Sequence, residues 1–368
     1  MIRKLLLGLM AAVFLAGPML AADPQPIKPV AGAYTHARGH KDPPNLAQRH
    51  AVMGKRHKAI HDGLAATLSL PASYTCTSFC TPAEDQGQCG SCWDFSGTEV
   101  VESANIKAGY LPNTIAGQLS TQYTLDQCNG SNGGCDGDDN TTVLAAAKQG
   151  GLPLVTNYAA YQAQSENCSG CFGTPPVMLY VLSDWGYVDS QNGVAAVNLI
   201  KAALMQYGPI GTGVAAGSDW DNYQGGNSVI TGPGPGVNHD VVITGWDDSL
   251  QAFQVRNSWG TSWGNNGYCW VAYTADQIGS EAVWSVAGPP VVLPSPNPPG
   301  PPSPVTLGPI TLQATTYELL FRTGIFGGIN AGQVAIPTPG QYTLTLTPAT
   351  SKRKSPAKLL VVPTPVRE

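Results

Sequence analysis

The stretch QGQCGSCWDFSG (Gln86–Gly97) places a thiol, Cys92, at the head of a run with helical pattern that extends to about Lys107. A free cysteine has a pKa near 8.5 and is mostly protonated at neutral pH. A helix N-terminus and a neighbouring imidazolium each pull that value down, and together they make a thiolate nucleophile. The imidazole has a single source in the middle of the chain. Five of the six histidines (His36, His40, His50, His57 and His61) lie near the N-terminus, and only His239 lies beyond them. It sits in GVNHDVVITGW, just before a predicted strand and 147 residues after Cys92. A lone histidine is ordinarily a structural or surface residue, and what marks this one is its company. Gln86 stands six residues before Cys92, and Asn257 stands 165 residues after it in the Trp-rich RNSWGTSWGNNGY. A thiolate attacking a carbonyl, with imidazole passing a proton to the leaving group, is the chemistry this set can perform.

CGSCW carries the C-G-[SA]-C-[WY] signature, and the order Gln86, Cys92, His239, Asn257 resembles the papain-like cysteine peptidases. The likeness covers about Leu70 to Gly288, from LPASY at Leu70–Tyr74 through YGPI at Tyr207 and WDNYQGG at Trp220. It implies an α+β, two-lobed fold, a helical lobe and a β-barrel-like lobe flanking a V-shaped cleft. By the same likeness Cys92 and His239 form a thiolate–imidazolium pair, and peptide bonds are hydrolysed through an acyl-enzyme. Asn257 holds the imidazole, Trp259 shields that contact, and Gln86 with the Cys92 N–H stabilises the oxyanion, a contribution of a few kcal/mol per donor. It further implies disulfides Cys89–Cys135 and Cys128–Cys168, leaving Cys76, Cys80, Cys171 and Cys269 with three possible connectivities. Substrate contacts fall on Gly137, Asp138, Asp139, Asn238 and Trp259. Family members usually carry a glycine pair where this chain has Gly137-Asp138. Asp138, Asp139 and Asn140 are then expected near the pocket for the residue two before the scissile bond, weakening the apolar preference there and tolerating basic or polar side chains. Solvated loop tips or calcium ligands are the alternative of equal weight.

The helix that presents Cys92 carries an acidic residue where most of the family has a small one, Asp94. Ser91 and Asp94 have capping-box spacing, so Ser91 is expected as N-cap with Asp94 three positions on. Two residues apart on a helix means about 200° around the axis, which turns Asp94 away from the Cys92 sulfur. Its charge is expected to support the helix start and to raise the Cys92 pKa slightly. Further on, a helix is expected over Thr141–Lys148, a strand over Val177–Val188 and a helix over Ala195–Tyr207. Strands are expected over Ile210–Ala215, Val241–Trp246, Gln251–Arg256 and Tyr268–Tyr273.

Composition divides the chain. Residues 1–22, with Arg3 and Lys4 before an apolar run, read as a signal peptide. Residues 23–69 form a basic, propeptide-like segment with a helix over roughly Leu46–Leu64 and a balance of +4. Residues 70–288, the peptidase-like domain, carry −15; residues 289–308 are a Pro-rich linker; residues 309–368 are a small β-rich or partly disordered extension. The opposed charges predict that the basic segment docks on the acidic domain as an intramolecular inhibitor. The expectation is a secreted, periplasmic or extracellular monomer acting on protein or peptide substrates. An acidic domain repels phosphates, so nucleic acid is not expected as a partner. No second segment is expected to cross a bilayer, and no cofactor is expected. A zinc site would need two close pairs, and Cys76 with Cys80 is a poor second to Cys168 and Cys171. Asn129, Asn140 and Asn167 head sequons that matter only in a eukaryotic host. A catalytically silent peptide-binding or adhesion protein on the same scaffold is the alternative from another class, and a cysteine-dependent transferase is a third.

Overall fold

In this computed structural model the chain is described over residues 36–43, 45–51, 53, 63, 67–128, 133–166, 168, 177–189 and 193–293, and over the backbone of five strands from residue 305 on. The expected signal peptide, most of the 46–64 helix, Cys171 and the spacer at 294–304 lie outside the described residues. Among the described residues no helix is long and apolar enough to cross a membrane.

The fold is organised around α1, Cys92–Lys107. Fourteen of its sixteen residues are buried, including Asp94, Glu99, Glu102 and Asn105. Such a helix needs neighbours on every side, and it finds them in the helical lobe and in Val242 and Val283 on the near face of the sheet. On one side Trp93, Val100 and Val101 pack with Leu119, Leu144 and Leu152. This helical lobe contains α2 (Thr121–Leu125) and α3 (Asn140–Gln149). Gly97 lets α1 and α3 approach, since a Cβ there would stand 2.5 Å from the Val143 side chain.

On the other side lies an eight-stranded sheet whose core holds Trp220, Trp246, Phe253 and Ile243. β1 (Ser73–Thr75) pairs with β7 (His239–Asp247) off the main path. Along that path run β4 (Leu182–Tyr187), β10 (Ser280–Ala287), β5 (Ile210–Val214), β7, β8 (Ala252–Arg256), β9 (Tyr268–Ala272) and β6 (Val229–Ile230). Every pairing is antiparallel except β6 with β9. β7 is central and buried from His239 to Trp246, which is why it reads as a continuous apolar run rather than an alternation. α4 (Val197–Tyr207) covers this sheet through Ile200 and Leu204. A smaller sheet joins β2 (Leu152–Pro153), β3 (Val177–Tyr180) and β11 (Val291–Leu293). One short helix, α5 (Ser218–Asp221), caps a loop at the cleft.

Three expectations are corrected here. The strand expected over Val177–Val188 is two strands broken at Val181, which serve different sheets. The Pro-rich linker of 289–308 contributes strand at both ends: β11 pairs with β3, and β12 begins at Val305. Asn140 is buried at the start of α3, so it is no surface glycosylation site. Beyond the spacer, β12 (Val305–Leu312), β15 (Gly340–Thr347) and β16 (Lys358–Pro363) form one antiparallel sheet, and β13 (Thr316–Arg322) with β14 (Gly328–Ala335) forms another.

Candidate active site

Cys92 is the first residue of α1 and is fully buried. Backbone N–H groups of Gly39, Asp240 and Trp93 surround its sulfur, that of Gly39 at 3.2 Å. His239 opens β7, next in sequence to Asp240, whose backbone N–H lies against the Cys92 sulfur. The His239 Nε2–H donates to Asn257 Oδ1 at 2.8 Å, with the tautomer assigned from that bond. Its Nδ1 has no hydrogen-bond partner and is the nitrogen left to take a thiol proton. Trp259 stacks on the ring at 4.9 Å between centroids, and Trp220 meets it edge-on at 6.2 Å. Gln86 donates through Nε2 to the carbonyls of Cys89 and Ala37, at 2.9 and 3.2 Å.

One residue that sequence reasoning missed ties these parts together. Ser258 Oγ donates to Gln86 Oε1 at 2.6 Å, and the Ser258 N–H donates to Asn257 Oδ1 at 2.8 Å. Gln86 and Asn257 are therefore braced by one residue. Its position directly after Asn257 was the only available signal. Disulfides join Cys89 to Cys135 and Cys128 to Cys168. Cys76, Cys80 and Cys269 are buried free thiols among the described residues.

The cleft is filled by the chain's own N-terminal segment. Residues 36–42 run across the thiol as an extended strap. Gly39 O accepts from Asp138 N–H at 2.9 Å, Lys41 N–H donates to Asp138 O at 2.9 Å, and His40 N–H donates to Asn238 O at 3.1 Å. Gly137 turns at φ 101°, and a Cβ on it would collide with Gly39 O at 2.3 Å. Gly137, Asp138 and Asn238 thus meet the strap by backbone.

The acidic side chains at this end of the cleft are not the expected ones. Asp139 is buried and caps α3, accepting from Thr141 N–H at 2.9 Å, and Asp138 Oδ1 accepts from Asp139 N–H. They are neither loop tips nor pocket walls. Asp240 and Glu281 face the strap instead. His40 Nδ1 lies 3.0 Å from Asp240 Oδ2, and its Nε2 lies 3.3 Å from Asp42 and 3.7 Å from Glu281. Burial opposes the charged His40 ring, but Asp240 first, then Glu281 and Asp42, more than offset it, and the pKa is raised to about 10. No local motif marked Glu281; Asp240 had adjacency to His239.

The surroundings of Cys92 and His239 disfavour the charged form of each. Burial first, then the Asp240 charge, pushes the Cys92 thiol up to about 12. Burial also brings His239 down to about 3; the Asn257 bond works against this, and the charges of Arg38, His40 and His36 reinforce it. Asp94 has no part in it. Its carboxyl is buried, accepts from Thr98 Oγ1 at 3.1 Å, and burial holds its pKa well above the usual range. The expected capping box is absent: Ser91 makes no side-chain cap and shares a 2.6 Å hydrogen bond with the Tyr161 hydroxyl.

Behind the thiol, α1 meets the sheet through more buried carboxyls. Glu99 pairs with Arg256, and Glu102 accepts from Leu119 N–H at 2.6 Å and Thr81 Oγ1 at 2.7 Å. Burial raises Glu84 to about 7 and Glu102 well above the usual range. Groups that bind protons more tightly when folded stabilise the fold below their unfolded pKa and lose that contribution as pH rises through the folded one. Glu84, Glu102, Asp94 and Glu281 (about 8) all act in this direction. His239 opposes them only below pH 6.5. The intact chain should therefore melt several degrees higher at pH 5 than at pH 8, read by calorimetry, since one pKa unit is worth about 1.4 kcal/mol. A melting point that rises across that window contradicts the assignment.

A family model described as papain family cysteine protease matches residues 71–286. Gamete and mating-type specific protein A of Dictyostelium discoideum is 30% identical over 208 residues, 55% of this chain and 42% of that protein. Vignain of Phaseolus vulgaris is 36% identical over 198 residues, 51% of this chain and 50% of that protein. The chain spans about half the length of these curated relatives. Among solved structures, digestive procathepsin L 3 of the Tenebrio molitor larval midgut aligns with a TM-score of 0.50 at 25% identity, over 60% of this chain and 72% of that one. The ragweed pollen cysteine protease Amb a 11, in its proform, shares the fold with a TM-score of 0.51 at 24% identity, over 61% and 67%.

Proposed function

Because the chain belongs to the papain family of cysteine proteases, we propose that it is an exported cysteine endopeptidase made as a latent precursor, with residues 36–42 as its inhibitory strap. Cys92 is the nucleophile, His239 the acid–base, Asn257 the group that holds the imidazole, and Gln86 with the Cys92 N–H the oxyanion donors. The observation that carries this reading is the Gly39 N–H on the Cys92 sulfur beside a Gln86 amide already bonded to Ala37 O. A backbone lies where a substrate backbone would have to lie.

The strap resists turnover because the sulfur faces an amide nitrogen, which is not an electrophile. It also withholds the ion pair. His36, Arg38 and His40 place positive charge near His239 and leave the imidazole neutral, so the thiol keeps its proton. Removing the strap removes those charges and admits water. The thiol proton then passes to His239 Nδ1, and the thiolate attacks the substrate carbonyl. The tetrahedral oxygen is met by the Gln86 amide and the Cys92 N–H. His239 gives its proton to the leaving amine, and water releases the acyl group by the reverse sequence.

The test is inhibition in trans. Chain matured by limited proteolysis should hydrolyse casein and lose that activity to a thiol-directed epoxide. A synthetic peptide of residues 23–69 should inhibit it, more weakly at 0.5 M than at 0.05 M salt, because its +4 meets a domain of −15. No hydrolysis and no epoxide labelling would remove the peptidase reading in favour of a silent peptide-binding protein. Hydrolysis unaffected by the peptide would remove the strap alone.

A further inference from the structure

We propose that the cleft is built for basic polypeptides, with a separate seat for a cationic side chain on each side of the cleaved bond. This rests on the peptidase reading above and adds the substrate class to it.

An extended segment turns alternate side chains to opposite faces, and the strap HARGHKD uses that period. Its even-numbered residues His36, Arg38 and His40 are basic, and each meets a carboxylate of the domain. The cation out of phase with them, Lys41, is exposed. A diffuse negative field would draw all four alike; discrete seats take three and leave the fourth.

The first seat lies beyond Asn257. Arg38 reaches Asp221 Oδ2 at 3.0 Å and donates to the carbonyls of Ala216 and Gly217 at 3.1 and 3.2 Å. Its guanidinium carbon stands 5.1 Å from the centre of the Trp259 ring. One carboxylate, two carbonyls and an indole face form a set that fits a planar, five-donor cation. His36 uses the other Asp221 oxygen at 2.9 Å and stacks on Trp259 at 4.3 Å, so an imidazole ring is taken as well. Asp221 keeps only 5% of its side-chain surface exposed. A carboxylate so enclosed is costly without a cationic partner.

The second seat is the one His40 fills, between Asp240 and Glu281 at the Asp138 end. Their side chains are 1% and 9% exposed. The His40 ring rests over Gly213, where a Cβ would stand 3.4 Å from it, at ordinary contact distance. Two buried carboxyls facing one side chain reject an apolar occupant, which would leave them desolvated and unpaired. By the family likeness this end receives the residue two before the scissile bond. The Trp259 end then receives residues after it.

Four internally quenched peptides test this, carrying Arg or Leu two residues before the cleaved bond and Arg or Ala directly after it. Matured enzyme, its active sites counted with a thiol-directed epoxide, should show kcat/KM about tenfold or more higher for Arg at each position. Glu281→Gln should lower the preference before the bond, with Asp240 keeping the remainder, and spare that after it; Asp221→Asn should lower the preference after the bond and spare that before it. Equal rates, an apolar preference, or both preferences falling together in either variant would overturn the proposal while leaving the peptidase intact. If no peptide is cleaved, the seats are read without chemistry. Fluorescein-labelled peptides of residues 34–43 are added to the matured protein and followed by anisotropy. The native sequence should bind about 100-fold more tightly than one carrying Arg38→Ala and His40→Ala, and equal binding overturns the proposal. A variant that fails to take up the epoxide stoichiometrically is replaced by Asp221→Ser or Glu281→Leu, judged by the same crossed pattern.

Discussion

Gly39→Leu should turn the intact chain from latent to active. A Cβ on residue 39 would stand 1.8 Å from the Gly90 carbonyl oxygen and 2.3 Å from its carbon. Neither can retreat: Gly90 N–H donates to Cys135 O at 3.1 Å, and the adjacent Cys89 is tied to Cys135. The strap must lift. Overpacking of this kind costs about 1–3 kcal/mol, which corresponds to about 5- to 150-fold more uncovered enzyme. The measurement is hydrolysis of a fluorogenic peptide by unprocessed protein, with cleavage of the strap excluded by mass. Gly63→Ala is the control, because nothing lies within 4 Å of that position. A Gly39→Leu chain as silent as the parent would show that residues 36–42 do not govern access to Cys92.

Cys92→Ala and His239→Ala should each cost the matured enzyme about 10⁴-fold or more in kcat/KM, and the double variant should be no worse than either single one. The argument is that the two groups act as one acid–base unit. The imidazole has its Nε2 committed to Asn257, and only Nδ1 remains for the thiol. Without His239 the thiol reverts to an ordinary weak acid, and the leaving amine has no proton donor. Initial rates with one peptide across the four proteins decide it. A double variant that multiplies the two losses would mean that the residues act independently.

The linked group of Gln86, Asn257 and His239 was legible because each member sits in a local motif with a fixed chemical reason. The helix over Cys92–Lys107 was legible to the residue, and strands such as Ala252–Arg256 to within one. What was not legible is what distant chain does to a residue. Ser91 and Asp94 have the spacing of a cap, but the Tyr161 hydroxyl takes the serine and burial pushes the acid's pKa well up. Asp138 and Asp139 lie near the cleft, yet a local backbone N–H holds one oxygen of each, and the second Asp139 oxygen lies 3.9 Å from Arg49. Glu281 reaches the cleft from the strand after the last motif, across tertiary distance, so no spacing rule could place it. The charge balance of the first segment anticipated docking without saying that a single glycine sets its fit.

The most direct measurement is the pH dependence of Cys92 alkylation by iodoacetamide, followed on its own peptide by mass spectrometry. In the intact chain Cys92 should stay unreactive through pH 9, its thiol held at about 12 beneath the strap. In the Gly39→Leu chain it should react down to about pH 5, and adding His239→Ala should return it to a free thiol that reacts only as pH approaches about 8.5. If the strap-displaced chain instead reacts only near pH 8.5 or above, and His239→Ala changes nothing, then the imidazole does not share the thiol proton and the account fails.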